Sequence, residues 1–226
     1  MSLAPFLKDI FMLKPLIATI LAIALVGCQT MYFDAMEKVG FHKRDILVDR
    51  VEDARDAQSE AQEQFKSALD ELSSLINING GDIQQAYETL FEQYKSSKRA
   101  ADEVSQRINK IESVADALFR EWQDEIEQFS SARLKRSSQN QLIQTKDSYK
   151  QMVTSMRRAE SKMQPVLTSL NDNVLYLKHN LNARAISAIS IEFNELKKEI
   201  QLLVAEVNKS IIESNKFIAQ MDSNKK

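Results

Sequence analysis

Cysteine is almost missing from this chain. Cys28 is the only one in 226 residues, so no disulfide can form within the molecule and the fold must stand on packing alone. Turn formers are scarce as well. The four glycines are Gly27, Gly40, Gly80 and Gly81, and the three prolines are Pro5, Pro15 and Pro165. Folds rich in β-structure need many tight turns, which draw on these residues, and nothing after Gly81 supplies another glycine. Neither sign of charge is in excess. Thirty basic residues face 32 acidic ones, for a net of −2. That excludes the surplus of Lys and Arg on which electrostatic binding to nucleic acid depends.

Catalytic patterns are missing too. There is no Gly-rich phosphate loop, no Gly-x-Ser-x-Gly elbow and no pair of carboxylates on an inward face. The two histidines, His42 and His179, stand far apart in the chain. Neither has a Cys, a second His or an i,i+4 carboxylate arranged as in the His-Glu-x-x-His or Glu-x-x-His metal motifs. No catalytic, cofactor or metal-binding residue is expected, and the chain reads as a non-enzyme.

What is present begins with an anchor. The apolar run 16–26 follows Lys14 and Pro15. It is too short for a bilayer core, which takes ~20 residues, and fits the apolar region of a signal peptide. Leu25-Val26-Gly27-Cys28 closes it and looks like the lipobox of a bacterial lipoprotein. That likeness implies cleavage before Cys28 and lipidation of its thiol. The alternative is an uncleaved signal anchor in which Cys28 is a small buried hydrophobe. Met12 offers an alternative start. Gln29, rather than Asp, follows the cysteine. By resemblance to enterobacterial sorting rules, this favours the outer membrane, with the body of the protein in the periplasm. The expected organisation is a signal peptide over 1–27, a lipidated membrane-proximal segment over 28–40, a helical body over 41–222 and a frayed tail over 223–226. Tyr32 and Phe33 could enter the headgroup layer or pack on the base of the body.

Ala, Glu, Gln, Lys, Leu and Ser dominate the rest, a composition for long helices. A first helix from about Lys43 to Asn77 carries the seam Leu47, Val51, Ala54, Ala61, Phe65, Ala68, Leu72 and Leu75, with Gln58 in the one polar slot. The alternating steps of four and three are those of a coiled coil. Asn77 to Gly81 should form a turn, and Asp82 with Gln85 a capping box. The second helix has its seam at Ile83, Tyr87, Leu90, Tyr94, Ser97, Ala101, Val104, Ile108, Ile111, Ala115, Leu118, Trp122, Ile126 and Phe129. Unbroken to about Arg136, it would be roughly 80 Å long, which predicts an elongated molecule.

The segment Arg133-Leu134-Lys135-Arg136-Ser137-Ser138 should mark a tip far from the anchor, with Ser138 and Gln141 capping the third helix. Arg133, Lys135 and Arg136 could meet anionic phospholipid, lipopolysaccharide or peptidoglycan. They could equally be solvated cations favoured at a helix C-terminus. Arg157, Arg158 and Lys162 read as a solvated face. The third helix carries Leu142, Thr145, Tyr149, Met152, Met156, Ala159, Met163, Val166, Leu170, Val174 and Leu177, with Pro165 inside it as an expected kink. Its methionines read as core. A weak turn at 180–183 should lead to a last helix with Ile186, Ile189, Phe193, Leu196, Ile200, Leu203, Val207, Ile211 and Ile218 inward. Asp102 is expected to pair with Arg99. The fold class is therefore all-α: an elongated antiparallel bundle of three or four long helices.

The stretches Met36–Val51 and Leu177–Ile186 resemble a family of proteobacterial lipoproteins and secreted proteins classed as a domain of unknown function. The likeness covers most of the chain after Cys28 and brings no activity or site residues with it. The expected role is a scaffold or partner-binding adaptor in the cell envelope. Its partners would be the membrane, through lipid on Cys28, and another protein or a second copy. The alternative is a lipid-binding, membrane-remodelling rod similar in outline to BAR or phage-shock-protein-A proteins.

Overall fold

Four long helices account for nearly all of the structure, a computed structural model that describes residues 42–76, 83–180 and 183–223. They are α1 (Lys43–Ile76), α2 (Ile83–Gln128), α3 (Ala132–His179) and α4 (Ala183–Ser223). No strand occurs among the described residues. The expected turn at 77–81 and the Asp82 cap lie outside them. Close packing separates the chain into residues 1–46 and Leu47–Lys226, and the bundle described here belongs to the second unit. With 48 residues, α3 is about 72 Å long at 1.5 Å per residue.

Heptad spacing explains the packing. On α1, Leu47, Val51, Ala54, Ala61, Phe65, Ala68 and Leu72 are wholly inaccessible to solvent. Ala54, Ala61 and Ala68 are small enough to let neighbouring helices approach closely. On α3, Met152, Met156 and Met163 fill the core as expected. Their flexible thioether chains take up irregular gaps between helices. Helix α3 runs through Pro165 without a break in its helical assignment. Proline removes its own N–H bond and crowds the carbonyl one turn back, and a helix braced by buried neighbours such as Met163 and Val166 can carry that loss.

Cross-helix hydrogen bonds give the direction of each helix. Asp53 on α1 accepts from Arg107 on α2 at 2.9 Å, and Gln64 donates to Gln93 at 2.6 Å. Rising numbers on α1 meet falling numbers on α2, so the two are antiparallel. The same holds for α3 and α4, where Ser148 bonds Gln220 and Ser169 bonds Glu199. Helix α4 returns beside α1, with Arg55 on Asn215 at 3.0 Å.

The centre is pinned by a buried polar node. Gln58 is fully buried. Its Nε2 donates to the Met156 carbonyl at 3.3 Å, and its Oε1 accepts from Ser210 Oγ at 2.6 Å. Ser214 Oγ in turn donates to the Ser210 carbonyl at 2.7 Å. One side chain thus joins α1, α3 and α4. A single polar group in a heptad seam costs some stability and selects one register, because any slip leaves it unpaired in the core.

Two seams depart from expectation. Late in α4 the inward positions are Ser210, Ser214, Phe217 and Met221, not Ile211 and Ile218. The three-and-four spacing continues from Val207 through the serines, whose small hydroxyls make room for Gln58. On α2, Phe119 is buried whereas Leu118 is only half-buried. Phe119 meets Tyr149 of α3 edge-on at 5.3 Å, and Tyr149 meets Phe217 of α4 at 6.4 Å. The break near 180–183 exists: Asn180 closes α3, its backbone N–H donating to the Leu177 carbonyl at 3.1 Å, so α3 and α4 are separate helices.

Candidate interaction sites

The α2–α3 hairpin holds the basic cluster, and its geometry corrects two expectations. Helix α2 ends at Gln128, not near Arg136. Ser131, rather than Ser138, caps α3: its side chain accepts from the Leu134 N–H at 3.4 Å. Consecutive serines offer hydroxyls that compete for backbone groups, which favours a cap over helix interior. Ser138 lies inside α3, where its Oγ accepts from Trp122 Nε1 at 2.8 Å and braces the hairpin. Arg133, Lys135 and Arg136 therefore occupy the start of α3. A helix N-terminus is the positive end of the dipole, so these cations gain nothing there from the helix.

The second correction concerns position. Continuing the α1–α2 pairing sets Leu47 opposite a point near Ser113, and continuing the α3–α4 pairing sets Ser223 opposite a point near Thr145. The hairpin between those levels runs past both, on the end of the bundle where α1 begins and α4 ends. Two antiparallel passes bring the chain back to the level of Leu47, so the cluster is not at the end of the bundle that α1 runs toward.

The three cations differ in their surroundings. Lys135 Nζ is paired with Glu127 at 2.6 Å. Arg136 Nε donates to the Ala132 carbonyl at 3.2 Å. Arg133 is exposed and has no ion pair among the described residues. Between and beside them, Leu134 is 55% and Phe129 41% exposed, although Phe129 had been placed in the α2 seam. Among the described residues, no third helix reaches that level.

Arg157 belongs to the scaffold instead of to a solvated face. Its guanidinium grips both carboxylate oxygens of Glu112 on α2 and donates to Asn109 at 2.6 Å and Glu160 at 2.9 Å. The bond to Glu112 is the main reason it is held more firmly protonated than an ordinary arginine. Two parallel bonds between planar groups fix both distance and angle between the helices. Asp102 pairs with Lys98 at 2.8 Å, not with Arg99, which bonds Ser96. Burial pushes the Tyr149 hydroxyl well above its usual range, with Glu112 and Asp116 adding to the effect.

At the opposite end of the bundle an open cleft of about 350 Å³ lies between α3 and α4. Asp172, Glu192 and Glu195 supply carboxylates, while Tyr176, Ile189 and Leu196 supply an apolar surface. Asn173 is buried in its wall and bonds the Ser169 carbonyl at 2.7 Å. The flanking Leu175 and Ile191 are exposed, Ile191 by 75%. Sequence reading missed this cleft. Its trace in the sequence is Leu175, Tyr176 and Ile191, apolar residues that fall outside the seams.

His42 stands at the start of α1, its carbonyl accepting from the Asp45 and Ile46 N–H groups. His179 is exposed in the last turn of α3. No cluster of His, Cys, Asp and Glu suited to a metal ion occurs among the described residues. No helix among them is long and apolar enough to cross a membrane. Cys28 lies outside the described residues.

The chain belongs to the family described as "Protein of unknown function (DUF2959)". Its family model matches residues 32–221, which takes in all of α1, α2 and α3 and most of α4. No curated protein and no solved structure matches the chain.

Proposed function

We propose that the chain is a non-enzymatic lipoprotein, anchored in the outer membrane through lipid on Cys28, whose bundle acts in the periplasm as a scaffold or partner-binding adaptor. The single observation that carries this reading is the α3–α4 cleft. Three carboxylates, Asp172, Glu192 and Glu195, edge an apolar strip containing Tyr176, Ile189 and Leu196. That combination suits a basic amphipathic segment of another protein: its cations would meet the rim and its apolar side the strip. Elsewhere on the bundle some charged side chains hold helix to helix, as in Arg157–Glu112 and Arg107–Asp53.

In-cell photo-crosslinking from position 176 tests the reading, beside a Cys28→Ala control. Reproducible crosslinks to one envelope protein, lost when the anchor is removed, are the expected outcome. Crosslinks only to the chain itself or to lipid overturn the adaptor. They would favour the second reading, a lipid-binding rod, for which the exposed basic and apolar side chains of the α2–α3 hairpin speak. That alternative requires binding to anionic vesicles that salt abolishes.

A further inference from the structure

We infer that the turn joining α2 to α3 is a second contact with the membrane, entering a layer of anionic phospholipid headgroups. This deepens the anchored reading above and rests on it.

The apex has the right chemistry. Phe129 and Leu134 stand 41% and 55% exposed at the turn itself. Side chains on the first turn of a helix lean toward its N-terminus, so Leu134, Arg133 and Arg136 tilt toward the apex. Arg133 carries no ion pair among the described residues, and Arg136 is held only by the Ala132 carbonyl. An apolar tip ringed by guanidinium groups suits the boundary between acyl chains and phosphates. The nearby carboxylates do not oppose this. Glu127 is taken by Lys135, and Asp124 and Glu125 sit further back along α2.

The hairpin is stiff enough to hold that pose, since Trp122 and Ser138 tie its two arms together and Ser131 caps its second arm. Such preorganisation reduces the ordering cost of contact.

Trp122 is the only tryptophan, which permits a direct test. The full lipoprotein carrying Phe129→Trp, its emission read as the difference from the chain with Phe129 so that Trp122 and its bond to Ser138 are kept, is reconstituted into vesicles of phosphatidylethanolamine and phosphatidylglycerol with brominated acyl chains. The expected result is blue-shifted emission, most of it lost relative to unbrominated vesicles. Adding Leu134→Asp, Arg133→Glu and Arg136→Glu should restore the emission. Emission like that in water, unquenched by bromine, overturns the contact, provided circular dichroism shows the helices intact. Equal quenching in phosphatidylcholine vesicles overturns the role given to the arginines. The mass of the N-terminal peptide reports lipidation separately. A lipidated protein with an unquenched apex removes only this inference, and a quenched apex without lipid on Cys28 removes the anchor but keeps the contact.

Discussion

The middle of the bundle and the α2–α3 apex are made of the same kinds of residue put to opposite use. Around Gln58, four helices converge; Phe65, Met156 and Leu203 are fully buried there, and even the polar Gln58 and Ser210 are sealed from water and bonded to each other. At the apex only two helices remain among the described residues, and Phe129 and Leu134 face solvent beside Arg133. A phenylalanine at position 65 stabilises the fold, while one at position 129 has little to touch. The difference is the number of neighbouring helices at each level, which no local pattern in either helix reveals.

The contrast can be broken most severely at Phe65. Phe65→Ala should cost about 3–5 kcal/mol by chemical denaturation, the range for emptying a fully packed aromatic site. A cost below about 1 kcal/mol would mean that the centre is loosely packed. Next comes Gln58→Ala. It removes packing volume and leaves the Ser210 hydroxyl without its acceptor, so a loss of about 2–3 kcal/mol is expected. The paired change Gln58→Leu with Ser210→Ala should recover most of that loss, while letting the helices sample more than one register. Chemical crosslinks that stay confined to the native register in the double variant would contradict the role assigned to the node.

The effect at Tyr149 is smaller and visible only in alkali. Burial raises the proton affinity of its hydroxyl in the folded state. The folded chain therefore keeps this proton where the unfolded chain loses it. The associated stability is intact below about pH 10, the ordinary tyrosine value, and falls as pH rises beyond it. Tyr149→Phe should flatten the decline between about pH 10 and 11 in a series of denaturation curves. At the bottom of the scale, Leu134→Ala should shift stability by no more than about 0.5 kcal/mol. A larger loss would show that the apex serves the fold and would undercut its proposed contact with lipid.

The helices were legible because their seams repeat so regularly. Leu47 to Leu75 on α1 and Leu142 to Leu177 on α3 could be read residue by residue, with Gln58 already visible as the polar slot. Where reading failed, it failed for physical reasons. Counting apolar residues passed over Ser210 and Ser214, because their place inside depends on an amide from another helix. Ser138 with Gln141 has the spacing of a capping box, yet the plain hydroxyl of Ser131 closes the turn. Arg157 looked solvated until Glu112 and Asn109 of α2 came beside it. The acidic cleft needs α3 and α4 side by side, and neither helix alone announces it.

The bundle's direction has a mechanical consequence. Helix α1 begins and α4 ends on one side, while the acidic cleft lies on the other. Tension between the two chain ends would peel α1 from α4 one contact at a time, a weak mode of resistance. Tension between the start of α1 and the cleft would instead load the helices lengthwise, so that many seam contacts and the Gln58 node must yield together. A chain tethered at one end and gripped at the cleft would therefore carry force as a strut under shear, along the direction in which its interlocked side chains resist best.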